Sequence, residues 1–208
     1  DADSQFVVAL DAKTGASMWR TEIAPSYRNQ MGNGPRATPA ISGSAVFAFS
    51  GDGVLASLEL KNGNSRWSRN LVKEYGGKPA DYGMAGSPIV WNDLVIVHTG
   101  AARATVVACD AKSGETRWTS GTGDSAGYSS PTVLKVSGQE QLVAFTGSSV
   151  AGIDLKSGTK LWQYPYRTDY DCNIASPISI NGDIFISAGE NHGSTLLSMT
   201  KSGNDYSV

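Results

Sequence analysis

The chain has few of the residues that build reactive or cross-linked sites: two cysteines and two histidines among 208 residues. Two cysteines cannot provide the disulfide framework of small secreted domains, and we expect Cys109 and Cys172 to be unpaired. No apolar run approaches the roughly 18 residues that a membrane-crossing helix needs, so we expect no membrane span. No stretch shows sustained helical periodicity, which argues against a helical fold.

Neither sign of charge dominates, since 17 Lys and Arg residues face 19 Asp and Glu residues, for a net charge of −2. A nucleic-acid-binding domain is usually strongly basic, so we expect no nucleic acid partner. The chain is 40% hydrophobic and contains 24 glycines, a composition typical of a soluble β-protein with many turns.

A pattern of Asp or Glu, then Gly four residues later and Trp four residues after that, recurs four times along the chain. The copies are Asp11–Gly15–Trp19, Glu59–Gly63–Trp67, Asp110–Gly114–Trp118 and Asp154–Gly158–Trp162. The tryptophans are 48, 51 and 44 residues apart. Self-similarity at such a period predicts an architecture of repeated structural units.

Residues 37–70 show what one unit contains. Short apolar or alternating runs at 37–41, 45–50, 54–60 and 64–71 are separated by turn residues, including the hairpin signal Gly51-Asp52-Gly53. A proline after a small residue opens each unit, at Pro39, Pro88, Pro131 and Pro177, because proline is tolerated at the start of a strand. Units of four antiparallel strands predict an all-β propeller, and a β-sandwich or a β-helix fits the period less well.

The repeat divides the chain into one domain, residues 1–208, with a half-blade at 1–22 and blades at 37–71, 85–120, 129–164 and 175–208. This amounts to about four and a half blades, and we expect the chain to be a fragment of a larger ring. Missing blades would leave exposed sheet edges. We expect the remaining blades, or another chain, to cover them.

The repeated residues are expected to be structural. The glycines allow the positive φ of a tight turn, the acid accepts backbone N–H bonds across that turn, and the tryptophans pack as wedges against the neighbouring blade. The residue before each acid is expected to face the core. It is Leu10, Leu58, Cys109 or Ile153.

The connections between blades and the loops between the second and third strands should share one face of the propeller, where function tends to lie. Two neighbouring loops there carry Asp171, Asn173, Glu190 and His192. Hard oxygen ligands suit Ca²⁺, so these residues are a candidate metal site. The alternative is a network of hydrogen bonds that ties one blade to the next.

A second candidate is a surface for a ligand or partner on the same face. Its residues are Arg28, Asn29, Arg36, Lys73, Lys78, Tyr82, Tyr128 and Cys172. Arg and Tyr are common in recognition surfaces, and this mixture predicts contact with an acidic peptide or a carbohydrate. The alternative is a solvated rim without a ligand.

The segment Gly123-Asp124-Ser125-Ala126-Gly127 matches the Gly-x-Ser-x-Gly pattern of serine hydrolases. That pattern needs a strand before it and a helix after it. A new strand, opened by Pro131, is predicted to follow instead, so we expect no hydrolase.

The units VVALDAKTGASMW (7–19), VVACDAKSGETRW (106–118) and VAGIDLKSGTKLW (150–162) resemble the PQQ-like, tryptophan-docking repeats of quinoprotein dehydrogenases and of the assembly lipoprotein BamB. The resemblance covers essentially the whole chain and implies a ring of seven or eight blades outside the cytoplasm, periplasmic or secreted. The connections GNGPRATPA (32–40), RNLVKEYGGKPADYGMAGSP (69–88), AGYSSP (126–131), TDYDCNIASP (168–177) and GENHG (189–193) are similar to PQQ-binding-like propeller proteins of planctomycetes.

Quinoprotein dehydrogenases of this family use a Ca²⁺ site, basic groups, a stacking tryptophan and an adjacent pair of cysteines. This chain has no Cys-Cys pair, and its only tryptophan outside the repeat is Trp91. We therefore expect a non-catalytic binding or scaffold module without a cofactor. The alternatives are a quinoprotein oxidoreductase that binds PQQ and Ca²⁺, a BamB-like assembly scaffold, and one part of a larger enzyme.

Overall fold

A computed structural model describes residues 3–203 and 205–208, and the sheets in them confirm the predicted all-β propeller blades. Three successive sheets are four-stranded and antiparallel, with their strands in chain order. A two-stranded sheet precedes them and a three-stranded sheet follows them. The described part of the chain therefore holds a series of blades with an incomplete one at each end.

The strands follow the predicted units closely. The first sheet is β1 (Ser4–Leu10) and β2 (Ser17–Pro25), and the second is β3 (Ala40–Ser42), β4 (Ala45–Phe49), β5 (Val54–Glu59) and β6 (Ser65–Asn70). The third is β7 (Ile89–Trp91), β8 (Leu94–Ala101), β9 (Ala104–Asp110) and β10 (Thr116–Ser120). The fourth is β11 (Thr132–Val136), β12 (Gln139–Phe145), β13 (Ser149–Ile153) and β14 (Lys160–Pro165). The fifth is β15 (Ile178–Ile180), β16 (Asp183–Ala188) and β17 (Gly193–Leu197), followed by the hairpin β18 (Thr200–Ser202) and β19 (Asp205–Ser207).

The core lies between the sheets. The middle strands alternate so that one set of side chains packs on the preceding sheet and the other set on the following sheet. In β8, for example, Val95 and Val97 pack with Phe47 of the second sheet, whereas Leu94 and Ile96 pack with Leu142 of the fourth. Because both faces are covered, the middle strands are apolar runs instead of alternating ones. This is why a sequence without long helices still buries a large core.

The three four-stranded sheets and the three-stranded sheet each begin directly after the predicted proline, since β3, β7, β11 and β15 follow Pro39, Pro88, Pro131 and Pro177. The sequence did not predict the short helix α1 (Leu71–Glu74) or the single 3-10 turn at Asp169–Asp171. Both occur in connections between blades. No helix in the described residues has the length and apolar character to cross a membrane.

In the three copies where the repeated acid is Asp, its carboxylate closes the turn that leads to the tryptophan strand. A carboxylate oxygen of Asp110 accepts the backbone N–H groups of Lys112 and Ser113 at 2.9 and 2.8 Å, and Asp154 and Asp11 make the equivalent bonds. These bonds favour the charged carboxylates, and the pKa of each of the three is lowered.

The repeated tryptophan lies on the turn of the next blade. The Nε1–H of Trp118 donates to the carbonyl of Leu155 at 3.1 Å, and a Cβ on Gly158 would lie 2.7 Å from the indole ring. Trp19 and Trp67 make the same contacts with Gly63 and Gly114. Glycine is therefore required in this turn for two reasons, because it tolerates the positive φ and because a Cβ would clash with the indole ring.

Two sequence expectations differ from the structure at the ends. Leu10 is 57% exposed, while Leu58, Cys109 and Ile153 at equivalent positions are buried. The equivalent residue Leu58 packs on the preceding sheet, and the described residues provide no sheet before β1.

The last turn also departs from the repeat. Met199 occupies the position of the acid, so that position has no carboxylate for the backbone N–H groups that follow it, and residues 200–202 pair with residues 205–207 as β18 and β19. Trp162 consequently donates to Gln141 of its own sheet, at 2.7 Å, and does not lie on Gly203.

Candidate functional site

Four connections on one face of the blades converge on a groove of about 410 Å³. They are residues 76–81, 99–102, 123–128 and 170–171. All four belong to the connections that the sequence assigns to the loop face. Lys78 and Tyr128 of the predicted partner surface and Asp171 of the candidate metal site therefore line one concave site.

The polar side chains at the rim of the groove are not used within the chain. Lys78 and Asp81 are exposed and Asp171 is half-buried. Within residues 3–203 and 205–208, the Lys78 ammonium and the two carboxylates make no hydrogen bond and no ion pair. These charged groups therefore remain available to a molecule in the groove.

Tyr170 completes the rim as an exposed aromatic side chain, with 72% of its surface accessible. Its backbone and that of Asp171 are left-handed, with φ of 60° and 55°. Non-glycine residues rarely adopt this conformation, which costs energy and tends to occur at functional sites. The turn holds Tyr170 out of the core and at the mouth of the groove.

The wall behind these residues is rigid and buried. Tyr128 is 9% exposed, packs edge-on against Tyr82 with ring centroids 5.4 Å apart, and accepts the backbone N–H of Tyr82 at 3.3 Å. Burial raises the pKa of Tyr128 to about 12, so its hydroxyl stays protonated. Tyr82 and Tyr128 thus support the groove together.

Asn173 joins two blades beneath the groove. It is fully buried, and its side-chain amide donates to the carbonyls of Thr146 at 2.7 Å, Tyr166 at 3.2 Å and Gly147 at 3.3 Å. Its side-chain oxygen accepts the hydroxyl of Thr168 at 3.2 Å. Asn173 therefore fixes the position of the turn that carries Tyr170 and Asp171.

Replacing Asn173 by alanine should lower the free energy of unfolding by about 2–3 kcal/mol, because several buried carbonyls lose their donor. Urea unfolding of the wild type and the variant measures this loss. The control is Asn64→Ala, whose side chain is exposed and whose removal should cost less than about 0.5 kcal/mol. Equal losses in the two variants would contradict the role of Asn173.

Two residues of the candidate metal site, Asn173 and His192, have hydrogen-bond partners within the protein. Asn173 is occupied as described, and Nε2 of His192 accepts the backbone N–H of Asp169 at 3.2 Å. The described residues contain no group of three or more His, Cys, Asp or Glu side chains placed to hold a metal ion. The arrangement corresponds to the alternative of a hydrogen-bonded network, and we do not propose a metal site for Asp171, Asn173, Glu190 and His192.

Asn29 and Arg36 support the groove from behind and do not face it. Asn29 donates to the carbonyl of Asp81 at 2.6 Å. The Arg36 guanidinium donates to the carbonyls of Tyr82, Gly34 and Gly32. These bonds hold the segment that carries Asp81, so the two residues have a structural role beside the groove.

The other predicted surface residues lie apart from the groove lining or at its base. Arg28 forms an exposed ion pair with Asp3 at 3.4 Å, and Lys73 is exposed on α1. Cys172 is a free, half-buried thiol. Burial raises its pKa, and the charges of Glu190, Asp171 and Asp81 raise it further.

The Gly-x-Ser-x-Gly segment joins two blades. The carboxylate of Asp124 accepts the hydroxyls of Thr146, Ser148 and Ser149, each at 2.6 Å, and the backbone N–H of Ser148 at 3.1 Å. A further strand, β11, follows this segment. Within the described residues neither ring nitrogen of His98 makes a hydrogen bond of normal geometry, so Ser125 forms no Ser–His pair with it.

Sequence reasoning did not single out Asp81 or Tyr170. Asp81 sits in an ordinary loop of mixed polarity, and nothing local marks it. Tyr170 lies in the polar run from Asp169 to Asn173, and an aromatic residue within such a run is a usable signal. Its left-handed backbone and its exposure come only from the packing around Asn173.

The described residues contain no adjacent cysteine pair, since Cys109 and Cys172 are separate free thiols, one buried and one half-buried. They also contain no cluster of three or more His, Cys, Asp or Glu side chains placed to hold Ca²⁺. Trp91 packs against the core between the third and fourth sheets. No step through the quinone is therefore derived for these residues.

Comparison with known proteins places the chain among PQQ-like propellers. A family model described as "Outer membrane protein assembly factor BamB" matches residues 3–205. The outer membrane protein assembly factor BamB of Burkholderia pseudomallei is 28% identical over 76% of this chain and 37% of its own length. The quinohemoprotein alcohol dehydrogenase ADH IIB of Pseudomonas putida is 33% identical over 54% of this chain and 17% of its own length. The matched region thus spans well under half the length of both curated relatives.

Solved structures agree on the fold. BamB from Moraxella catarrhalis aligns with a TM-score of 0.55 at 18% identity, over 96% of this chain and 71% of that one. Quinohemoprotein alcohol dehydrogenase from Comamonas testosteroni aligns with a TM-score of 0.64 at 18% identity, over 94% of this chain and 40% of that one. Because the family model covers nearly all of the described residues, the chain belongs to the BamB-type family of PQQ-like β-propellers.

Proposed function

We propose that this protein is a non-catalytic binding module that recognises its ligand in the groove on the loop face. The observation that carries the proposal is the set of rim side chains, Lys78, Asp81, Tyr170 and Asp171, which make no hydrogen bond or ion pair in the described residues. A concave site with a few unpaired polar groups and one aromatic residue suits binding. Asp124 and Asn173, which resemble site residues in the sequence, are occupied in joining blades.

The proposed location is outside the cytoplasm. It is supported by the family, whose model is described as an outer membrane protein assembly factor. A curated relative carries the same description. Fractionation of cells that express the full-length protein tests this, and recovery with the cytoplasmic marker would contradict it.

The second candidate function is that of a quinoprotein oxidoreductase, favoured by similarity to the quinohemoprotein alcohol dehydrogenase. The described residues offer neither a cysteine pair nor a cluster of metal-binding side chains, so other residues would have to supply the site for PQQ and Ca²⁺.

A BamB-like scaffold is the third candidate. It predicts binding of a partner protein that Lys78→Glu weakens and that chelation of metal ions leaves unchanged.

Calorimetric titration of the full-length protein with Ca²⁺ and then PQQ, with absorbance spectra alongside, separates these functions. We expect no saturable binding of the quinone, because the described residues offer neither the cysteine pair nor a metal site. Binding of about one PQQ per chain, accompanied by a shifted quinone absorbance, would overturn the non-catalytic proposal.

A further inference from the structure

We propose that the groove binds neutral carbohydrate, with Tyr170 as the platform for a sugar ring and Asp81, Asp171 and Lys78 as partners for its hydroxyl groups. This inference rests on the proposed function, because it names the class of ligand for the same site.

The unpaired groups around the groove match the hydroxyl groups of a sugar. A charged carboxylate only accepts hydrogen bonds, and a lysine ammonium only donates them. A hydroxyl group can do both, so one polyhydroxylated molecule can donate to Asp81 and Asp171 and accept from Lys78. In the described residues these three side chains have no hydrogen bond or ion pair of their own.

Tyr170 supplies the apolar part of the recognition. It is 72% exposed at the rim of the groove, on a turn with left-handed backbone. An aromatic ring offers an apolar face and a polar tip, which suits a sugar ring with C–H groups on its face and hydroxyls at its edge. Asn173 holds the turn from within the core, so the platform is fixed before a ligand binds.

The charge of the groove argues against an acidic peptide, which was the other ligand predicted from the sequence. Asp81 and Asp171 outnumber Lys78 among the charged residues that line it. Arg36, which would have attracted an acidic peptide, donates to backbone carbonyls within the chain. Like charges facing a ligand disfavour its binding, so a neutral ligand fits better.

The size and walls of the groove also suit a short oligosaccharide. Its volume of about 410 Å³ falls within the range of small-molecule sites, roughly 300–1,000 Å³. Glycines occur in each of the three longer lining segments, including Gly77, Gly100 and Gly127. A Cβ at these positions would crowd Ala101, Ala126 and Thr146, respectively, so glycine lets the lining segments pack closely on their neighbours.

The test uses the full-length protein with three neutral trisaccharides, maltotriose, cellotriose and chitotriose, and with trilysine as a basic peptide. Calorimetry and saturation-transfer NMR measure the affinity of each at low salt and at 0.5 M NaCl, a salt level at which the Debye length is only about 4 Å. We expect at least one trisaccharide to bind, with an affinity that salt leaves unchanged because the ligand carries no charge.

Variants then locate the site. Tyr170→Ala, Asp81→Asn and Asp171→Asn should each weaken trisaccharide binding about tenfold or more, whereas Tyr170→Phe keeps the platform and should stay within about twofold of the wild type. Asp205→Asn is the matched control, since this aspartate is exposed in β19 and lies outside the groove, and it should leave binding unchanged.

The proposal would be overturned by the absence of binding to all three trisaccharides, or by binding that Tyr170→Ala and Asp171→Asn do not weaken. Trilysine binding that is lost at high salt and in Asp171→Asn, without sugar binding, would overturn the carbohydrate ligand but keep the groove as a binding site. Stoichiometric PQQ binding, measured as described above, would instead remove the proposed function itself.

Discussion

Replacing Trp118 by alanine is expected to lower the free energy of unfolding by about 3–5 kcal/mol, the usual cost of removing a large aromatic side chain from a core. The side chain is 7% exposed and packs with Leu142 and Leu155 of the next sheet. The variant also leaves the Leu155 carbonyl without the indole N–H. Urea unfolding followed by circular dichroism measures the loss.

Two further comparisons isolate the contact of Trp118 with the next blade. Gly158→Ala places a Cβ 2.7 Å from the indole ring at φ of 73°, whereas Gly15→Ala has nearly the same φ, 71°, and no atom within 4 Å. Both variants lose about 1 kcal/mol of stability because alanine is strained at a positive φ. Only Gly158→Ala also creates a clash with the indole ring. A loss below about 1 kcal/mol in Trp118→Ala, or equal losses in the two glycine variants, would contradict packing of the tryptophan on the turn.

Acidification from pH 6.5 to 4 is expected to cost the folded protein about 3 kcal/mol through His98 alone. His98 is buried between blades, and in the described residues neither ring nitrogen makes a hydrogen bond of normal geometry, the backbone of Ser129 being its nearest polar neighbour. Burial disfavours the charged imidazolium and lowers the pKa to about 4, and this outweighs the opposite effects of the Ser129 backbone and the Asp124 charge.

The direction follows from where the proton binds. The folded-state pKa lies below the usual His value of 6.5, so between pH 6.5 and 4 the unfolded chain is protonated and the folded chain is not. The contribution of His98 to the free energy of unfolding is thus fully present above pH 6.5 and decreases as the pH falls towards 4. Once both states are protonated, below about pH 4, this group causes no further loss.

The variant His98→Leu separates this effect from that of the turn aspartates. Those carboxylates have lowered pKa values, so they also reduce stability in acid, but they do so equally in both proteins. Stability measured by urea unfolding at pH 7.5, 6, 5 and 4 should therefore fall more steeply in the wild type. At pH 7.5 the variant should be as stable or more stable, because two unpaired polar nitrogens leave the core. Parallel pH profiles would show that His98 is solvated or hydrogen-bonded.

The fold was predictable because its signals are local and repeated. Each Asp-x-x-x-Gly places a carboxylate and a positive φ in one short turn, and each proline marks the start of a sheet. These features act over a few residues, so they can be read without knowing the neighbouring blade. Where one is missing, as at Met199, the structure changes in the same place, and β18 and β19 form a separate hairpin.

The repeat also has a feature that the sequence did not reveal. In the β1–β2 pair and in the last strand pair of each four-stranded sheet, the register shifts by one residue next to the tryptophan, for example between Ser57↔Trp67 and Leu58↔Ser65. Such a bulge bends and twists the strand locally. Nothing in the spacing of Asp, Gly and Trp shows that one residue is left unpaired.

The candidate site was only partly predictable for a different reason. The sequence could place Lys78, Tyr128 and Asp171 on loops of one face, but it could not show which polar side chains are used inside the protein. From the sequence alone, Arg36 and Asn173 appear as suitable for binding as Lys78 and Asp171. Packing of the connections satisfies the first pair with backbone carbonyls and, in the described residues, leaves the side chains of the second pair without a hydrogen bond.

The sequence by itself determined the blade, its turns and the face on which the loops gather, because turn chemistry and apolar spacing depend on neighbours along the chain. Only the tertiary structure decided which charges remain free, that Tyr170 stands exposed on a left-handed turn, and that His98 is buried without a partner. Those properties depend on atoms from different blades, whose distances are set by packing between sheets and not by the order of residues within one.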